Sequence, residues 1–438
     1  MQYRRDRLEF FTGAVSIARV RRTGRWAEYG ELIVLFFIHA MGMGMWFVPL
    51  SRVLDAYGLQ AIRPYAFATS AVAALVSPLF FGGIADRHMS PVRVLRWLAF
   101  WTAAAMALAT TGIKLGWNRW LVLGLIQLYA LITAPTWSIS TTIVLGRLSN
   151  PTRQFGPVRV SATVGWMVGC WVISLLHADV SVRAGYSGAV VWLVLSLFTL
   201  ALPSVAPAKS TARLTIRERL GLDALSLLRN RDHRVVFITA ALISIPIAAF
   251  FPYTPPHLQS LGFQHTSAWM SLGQVTEIFA QFGLAWLLTN LRLKWIFFFG
   301  LLFALLRYLC FVVGTPGWLL AGISLHGLAF TLFYVTAPVY LNERVDHAWR
   351  ARAQALMTLM TTGLGNLIGY LASGAWFDAC RTADAVQWRR FWGGLAAVVA
   401  LVTMYFVCTY RGQRSGRTAA VLPGAGPADD SLSPTATP

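Results

Sequence analysis

Apolar runs of about twenty residues recur along nearly the whole chain, and this feature limits the possible folds most strongly. Wound into an α-helix, a run of that length crosses the hydrocarbon core of a bilayer. Only 12% of the 438 residues are charged, which is about half the share in ordinary soluble domains. A β-barrel would alternate polar and apolar residues in segments of about ten, a pattern that the sequence does not show. We therefore predict an all-α, multi-pass membrane protein.

Twelve apolar runs suit transmembrane helices, and a basic interruption at 206–234 separates the first six from the last six. Six spans, a linker and six more spans predict two six-helix bundles, 31–205 and 235–410, with a ligand site between them. The predicted spans, in chain order, are 31–50, 65–84, 94–113, 120–146, 158–176, 186–205, 235–256, 267–289, 295–313, 318–341, 352–375 and 391–410.

The distribution of charge gives the orientation. The formal net charge is +20, which in a soluble protein would indicate a nucleic-acid partner. Here most Lys and Arg residues fall in loops and tails on one side of the predicted membrane, as the positive-inside rule requires. We therefore expect both termini in the cytoplasm and no nucleic-acid partner. We interpret residues 1–30 as a basic cytoplasmic leader. Residues 411–438 are rich in Ser, Thr, Pro, Ala and Gly, and we expect them to form a disordered tail.

The interruption at 206–234 contains apolar residues at helical spacing. This spacing predicts a short amphipathic helix on the inner membrane surface. The residues concerned are Leu220, Ala224, Leu227 and Leu228.

Catalytic and metal-binding patterns are absent from the sequence. The four cysteines form no close-spaced pair, so a disulfide or a metal site is not expected. There is no His-Glu-x-x-His and no Gly-x-Ser-x-Gly segment. We expect neither an enzyme nor a bound cofactor.

The fifth predicted span carries Arg159, and an arginine inside a span costs about 2.5–3.5 kcal/mol on insertion scales. Helical spacing places Thr163 and Trp166 on the same face. A cation, a hydroxyl and an aromatic plane together suit a polar ligand that contains a ring. The alternative is an arginine near the end of its helix that extends to the lipid headgroups.

The eighth predicted span carries Gln274, Glu277 and Gln281 as one polar stripe on an apolar helix. Removal from water favours the neutral form of a carboxylate, a property that suits a group that takes up and releases protons. The alternative for Glu277 is a structural ion pair with Arg307 of the ninth span.

Two histidines lie within predicted spans and leave two interpretations open. His39 in the first span is either a functional residue, as a polar wall or a proton site, or a side chain hydrogen-bonded to a neighbouring helix. His326 in the tenth span shares a face with Phe330, whereas Thr331 faces elsewhere. His326 is either a proton carrier or a packed polar side chain.

The segment 82–88, Gly-Gly-Ile-Ala-Asp-Arg-His, follows the second span. It resembles the Gly-x-x-Ala-Asp-Arg signature of the major facilitator superfamily. The glycines permit close helix approach, and Asp86 can pair with a basic residue or a helix end in one conformation only. The motif therefore predicts a gating latch at Asp86 and Arg87.

These stretches together resemble the bacterial nucleoside:proton symporters, a branch of that superfamily, over about residues 31–410. The matching segments are 46–50, 83–87, 159–166, 274–277, Arg307, 350–355 and 362–365. The resemblance implies nucleoside-binding roles for Arg159, Thr163, Trp166, Gln274 and Glu277.

Two departures from this family concern the same site. The tenth span has Phe330-Thr331 where the nucleoside permeases have Phe-Asp, so the acid is missing. The seventh span has 245–252, Ile-Pro-Ile-Ala-Ala-Phe-Phe-Pro, in place of a polar Gln/Asn pair. We interpret Phe330 as a stacking surface and Thr331 as a substrate-binding position. Proton coupling then falls to Glu277, with His326 as the second candidate.

The resemblance implies proton-driven uptake of nucleosides by alternating access, with the proton gradient as the energy source. It implies a monomer in the bacterial inner membrane. Two alternatives remain from the residues themselves. One is a proton-coupled carrier of another small polar solute, a sugar or a drug, because fold does not fix substrate. The other is a non-transporting membrane receptor.

Overall fold

The structure is a computed structural model that describes residues 25–81, 89–149, 151–203, 215–383 and 385–412. In these ranges the chain is helical, and the only β-type pairing is a single bridge between Arg381 and Val386. The α-helices, in chain order, are α1 (Arg25–Phe47), α2 (Leu50–Ala56), α3 (Arg63–Phe81), α4 (Pro91–Lys114), α5 (Arg119–Thr133), α6 (Thr136–Arg147), α7 (Pro151–Leu175), α8 (Arg183–Phe198), α9 (Ile216–Arg219), α10 (Arg231–Ala248), α11 (Phe250–Ser260), α12 (Thr266–Met270), α13 (Leu272–Asn290), α14 (Leu293–Val313), α15 (Pro316–Phe330), α16 (Thr336–Arg344), α17 (His347–Thr358), α18 (Asn366–Ala379) and α19 (Trp388–Thr409). Short 3₁₀ segments lie at Gln60–Ile62 and Leu222–Arg229, and π turns at Thr331–Val335 and Leu359–Gly365.

The described part of each predicted span contains helix, although the helix in 186–205 ends at Phe198 and the helix in 65–84 is described only to Phe81. Within the described ranges, nine helices are long and apolar enough to cross a bilayer, and α8 is a shorter apolar helix. The helices over 65–84 and 267–289 are not among these nine. The helix over 267–289 carries the polar stripe of Gln274, Glu277 and Gln281. The prediction of an all-α membrane protein is confirmed.

The first span differs from its predicted bounds of 31–50. The helix already begins at Arg25 and ends at Phe47, and α2 follows after a turn at Val48 and Pro49. Proline has no backbone N–H and disfavours helical geometry at the residue before it. The proline in the segment 46–50, Trp-Phe-Val-Pro-Leu, therefore divides the first span into two helices, α1 and α2.

Proline also interrupts the predicted span 120–146. The chain leaves the helix at Ala134 and Pro135 and resumes it at Thr136, because a proline inside a span kinks or interrupts the helix. The Thr136 hydroxyl donates to the carbonyl of Thr133 at 2.6 Å. The Thr136 side chain thus provides a donor for a backbone carbonyl next to the helix interruption at Pro135.

Two hydrophobic cores divide the described chain at the basic interruption. The first is built from residues 32–202, with Ala248 and Tyr370 added from the far side. The second is built from residues 224–410, with Val48 and Cys170 added. We call α1–α8 the first group and α10–α19 the second group. The site described below lies where these groups meet.

The linker packs against the second group. Arg352 of α17 forms an ion pair with Glu218 at 3.0 Å, and Ala224 is fully buried. Thr215 and Glu218 form a capping box, in which each side chain accepts from the backbone N–H of the other. The Glu218 carboxylate accepts from both the backbone N–H and the hydroxyl of Thr215, and these two hydrogen bonds, together with Arg352, lower the pKa of the Glu218 carboxyl. The predicted amphipathic helix over 220–228 is instead a 3₁₀ segment that follows α9.

Glycines bring α1 and α7 unusually close. A Cβ on Gly169 would lie 2.7 Å from the carbonyl oxygen of Met41, and one on Gly44 would lie 2.9 Å from that of Trp166. Small residues at such crossings let the helix backbones approach each other inside a membrane. This contact fixes the position of the α7 face that carries the predicted site.

Gly169→Ala is expected to destabilise the protein by about 1–3 kcal/mol, the usual cost of overpacking. The matched control is Gly124→Ala in α5, where a Cβ would meet nothing within 4 Å. The midpoint of thermal unfolding in detergent measures both. A Gly169→Ala protein as stable as the control would show that the close α1–α7 crossing does not matter for folding.

Some predictions fall on residues outside the described ranges. These are the gating pair Asp86 and Arg87, the leader up to residue 24, the linker residues 206–214 and the tail from 413.

Candidate functional site

The two groups meet through a polar contact near the middle of α7 and α13. The hydroxyl of Thr163 donates to Oε1 of Glu277 at 3.3 Å. The same oxygen accepts from the amide of Gln281 at 2.7 Å, so two members of the predicted polar stripe on α13 are hydrogen-bonded to each other. Gln274, one turn earlier, is buried. The structure therefore brings together side chains that the sequence placed more than a hundred residues apart.

Arg159 lies on the same side of α7 as Thr163. Its guanidinium lies over the ring of Trp137 in α6, 5.8 Å from the ring centroid, and it is attracted electrostatically to Glu277. No direct ion pair joins these two side chains. Arg159 is half-buried inside the helix, and its guanidinium lies over a ring of its own group. The contact between Arg159 and Trp137 does not support the alternative in which Arg159 extends to the lipid headgroups.

Glycines also set the position of Glu277. A Cβ on Gly327 of α15 would collide with the backbone N of Glu277, and one on Gly273 would lie 3.3 Å from the side chain of His326. The hydroxyl of Thr276 also donates to the carbonyl of Ser324. Helices α13 and α15 are therefore packed backbone to backbone beside the carboxylate.

Aromatic rings continue from Trp166 into the second group. Phe251 of α11 lies between Trp166 and His326, with ring centroids 6.0 Å and 5.9 Å away. The series continues through Phe330 to Tyr334, which stack at 5.6 Å. We call these five residues the aromatic wall. Its buried Trp166 indole N–H has no hydrogen-bond acceptor among the described residues.

Arg307 does not pair with Glu277, so that alternative for Glu277 is wrong. The Arg307 guanidinium lies 2.7 Å from Nδ1 of His326 instead. Both side chains are buried. His326 therefore has a close partner within its own group.

The structure places two of the predicted polar residues away from the site. His39 is fully buried, with its ring nitrogens 2.9 Å from the Ser140 hydroxyl and 3.0 Å from that of Thr136. Of the two interpretations, these contacts favour a histidine bonded to a neighbouring helix. Thr331 is fully buried in a π turn and its hydroxyl has no partner among the described residues. In this conformation Thr331 exposes no surface to a ligand.

Hydrogen bonds also join the groups at the end where the loops 176–182 and 261–265 lie. The carboxylate of Asp179 accepts from the backbone N–H of Ser267 at 2.6 Å and from the Thr266 hydroxyl at 3.3 Å. The Ser174 hydroxyl accepts from the backbone N–H of Ala268 at 3.0 Å. We call these contacts the Asp179 clamp. Arg52 and Gln259 bond across the same end.

The sequence profile of the family described as "Nucleoside H+ symporter" matches residues 29–415. The chain belongs to this family. It is a multi-pass membrane transporter of the nucleoside symporter class, and it is not an enzyme.

Curated relatives agree with this assignment. The chain is 30% identical over 406 residues to the "Putative nucleoside transporter YegT" of Escherichia coli, covering 87% of this chain and 93% of that protein. It is 27% identical to the "Nucleoside permease NupG" of the same organism, covering 85% and 94%. It is 25% identical to the "Xanthosine permease", covering 86% and 94%.

Solved structures show the shared fold. The crystal structure of the nucleoside transporter NupG superposes with a TM-score of 0.77 at 24% identity, covering 88% of this chain and 99% of that one. A peptide transporter, POT, superposes with a TM-score of 0.67 at 13% identity, covering 86% and 94%.

Sequence reasoning missed Phe251 and Tyr334. The segment 245–252 was interpreted only through the polar pair that it lacks. Its two adjacent phenylalanines in a span could have indicated an aromatic surface. Tyr334 bonds to the Ser244 hydroxyl at 2.8 Å. Its place in the site depends on the π turn at Thr331–Val335, which no periodicity indicates.

Thr163→Val removes the hydroxyl that links the groups while keeping the shape of the side chain. A hydrogen bond to a charged group contributes about 1.5–3 kcal/mol, so the midpoint of thermal unfolding should fall. The matched control is Thr142→Val in α6, whose exposed hydroxyl donates only to its own helix. Equal midpoints for the two variants would mean that the Thr163–Glu277 contact contributes nothing to stability.

Proposed function

We propose that this protein takes up nucleosides together with protons, by alternating access, as a monomer in the bacterial inner membrane. The observation that carries the proposal is the hydrogen bond between Thr163 and Glu277, because it joins the two groups at a titratable side chain. Membership of the nucleoside H+ symporter family supports the substrate class, as do the names of the relatives. In this proposal two six-helix bundles, 31–205 and 235–410, move about the linker 206–234.

The ligand in this proposal lies between Arg159 and the aromatic wall. Arg159 and Gln274 donate to hydroxyl or carbonyl oxygens of the nucleoside, since a guanidinium offers five N–H donors. Trp166 and Phe330 supply faces for the base, and an aromatic pair contributes about 0.5–1.5 kcal/mol beyond its buried area. Thr331 is expected to reach the ligand only if its π turn changes conformation.

Glu277 carries the coupled proton in this proposal. When the carboxylate is ionised, it attracts the Arg159 guanidinium and competes with the ligand for it. When the carboxyl is protonated, the attraction ends and Arg159 is free to bind substrate. The proton therefore raises the affinity of the site for the ligand, which is the differential affinity that coupling requires. The proton gradient supplies the energy, and no cofactor takes part.

The Asp179 clamp closes the outer end of the path in this proposal. The positive-inside rule places the loops 176–182 and 261–265 outside, so a structure joined there is closed to the outside. The loop latch at Asp86 and Arg87 would act at the inner end in the opposite state. Opening toward the outside requires the hydrogen bonds of Asp179 to break.

Glu277→Gln should abolish accumulation of labelled uridine and adenosine driven by an inward proton gradient in proteoliposomes. The amide keeps the shape of the site but cannot exchange a proton, so exchange of internal for external nucleoside should persist. The control is Glu343→Gln, an exposed acid at the end of α16, which should accumulate nucleoside normally. Gradient-driven accumulation by the Glu277→Gln protein would move coupling to another residue. If the unsubstituted protein takes up neither nucleoside, the substrate class is wrong, and sugars and drugs are tested next.

Asp179→Ala should loosen the outer closure. The backbone N–H of Ser267 and the hydroxyl of Thr266 lose their carboxylate partner, so hydrogen–deuterium exchange over 261–271 should become about tenfold faster, the effect of about 1.4 kcal/mol. The control is Asp378→Ala, whose side chain is 73% exposed. Unchanged exchange in the Asp179→Ala protein would exclude the clamp as a closure.

A further inference from the structure

A fully buried guanidinium lies behind the aromatic wall, at Arg307 of α14. One of its nitrogens, Nη1, lies 2.7 Å from Nδ1 of His326. The other two nitrogens, Nε and Nη2, have no hydrogen-bond partner among the described residues. The guanidinium also lies over the rings of Phe250 and Tyr308, 5.1 Å and 4.5 Å from their centroids. No carboxylate in the described ranges forms an ion pair with Arg307.

The contact between Arg307 and His326 fixes where the imidazole proton lies. A guanidinium can only donate hydrogen bonds, so Nδ1 of His326 is the acceptor. In a neutral imidazole one nitrogen accepts and the other carries the hydrogen, so Nε2 of His326 carries it. A second proton would have to bind Nδ1, which would break the contact and place two positive charges side by side.

The ring of His326 is also held in one orientation. Phe250 stacks on it almost in parallel, with centroids 4.1 Å apart and planes 8° apart. On α13, a Cβ on Gly273 would lie 3.3 Å from Cδ2 of His326, so the helix backbone lies against the ring edge. Because Nδ1 and Nε2 lie on different edges of an imidazole, the Nε2–H points away from Arg307.

We infer that Arg307 is a positioning residue: it keeps His326 as a fixed, neutral hydrogen-bond donor, so that proton coupling does not pass through His326. The inference rests on the proposed function for its link to transport. It resolves the two interpretations of His326 in favour of a packed polar side chain with a defined donor. In this arrangement the proton binds elsewhere in the site, at Glu277.

The charged and titratable groups around His326 come from three elements. Helix α14 contributes Arg307, and α13 contributes Glu277, whose backbone packs against the residue after His326. The π turn contributes Tyr334. Helix α11 contributes only phenylalanine rings. Of these groups, Arg307 is the only one within hydrogen-bond distance of the imidazole in the described structure.

The direct test is nuclear magnetic resonance of the whole protein with ¹⁵N-labelled histidine, from pH 8 to pH 5. A difference spectrum against His326→Gln identifies the His326 signals among the eight histidines. We expect the pattern of a neutral ring protonated at Nε2 throughout this range. A His326 signal that changes to the doubly protonated pattern within the range overturns the inference. The measurement needs no transport, so it stands apart from the proposed function.

The second test is the same spectrum for Arg307→Met, with Arg307→Lys as the matched variant that keeps a donor. Methionine offers Nδ1 no hydrogen, so the His326 signals should no longer show the single form protonated at Nε2. Lysine also can only donate, so Arg307→Lys should keep the pattern of a ring protonated at Nε2. A changed pattern in Arg307→Lys, or an unchanged one in Arg307→Met, overturns the inference; should Arg307→Met fail to fold, Arg307→Lys still decides.

The single His326→Gln variant and its control complete the test. Glutamine can accept from Arg307 and still donate on its other side, so the shape of the pH profile of nucleoside uptake should not change. Glutamine lacks the ring that His326 contributes to the aromatic wall, so KM should change. The control for losing a histidine is His347→Gln, at the exposed start of α17, which should change neither. A step in the profile of the unsubstituted protein that is lost in His326→Gln would show that His326 titrates, and would overturn the inference.

Discussion

The cost of placing charge in hydrocarbon governs this structure. Arg159, Glu277 and Arg307 all lie in apolar spans, where each charge is expensive unless something compensates for it. The structure compensates differently in each case. Glu277 accepts from two side chains, Arg159 lies over an indole, and Arg307 donates to a histidine and lies over two rings. The first two residues lie where the groups meet, whereas the third lies within one group.

Buried charges that lie where the groups meet can change partners, whereas buried charges within one group cannot. A contact between the two groups changes whenever the groups move, so the surroundings of Glu277 and Arg159 depend on conformation. The Arg307–His326 contact lies inside the second group, between α14 and α15, so a movement between the two groups would leave it intact. Proton coupling needs a titratable group of the first kind. The position of a buried charge relative to the meeting surface therefore matters as much as its chemistry.

Much of this could be predicted from the sequence, for identifiable reasons. Spans follow from the length of apolar runs, and the faces of α7 and α13 follow from helical spacing, so Thr163 and Glu277 were available as candidates. The partners of buried charges could not be predicted, because they depend on which helices are neighbours. One of the two interpretations of Glu277 placed Arg307 beside it, whereas Arg307 lies beside His326. The family resemblance placed Thr331 among ligand contacts, whereas the π turn buries it.

The three rings of Phe47, Trp166 and Phe251 form one cluster, with centroids 5.1–6.2 Å apart. Two of these residues belong to the first group and one to the second. Separating the groups at this level exposes ring faces to water, at about 25 cal/mol for each Å² of apolar surface. A flat ligand that enters the gap covers the same faces again. In the proposed alternating-access mechanism, an empty carrier therefore meets an apolar barrier to reorientation that a loaded one does not, and this barrier would limit leakage of protons without cargo.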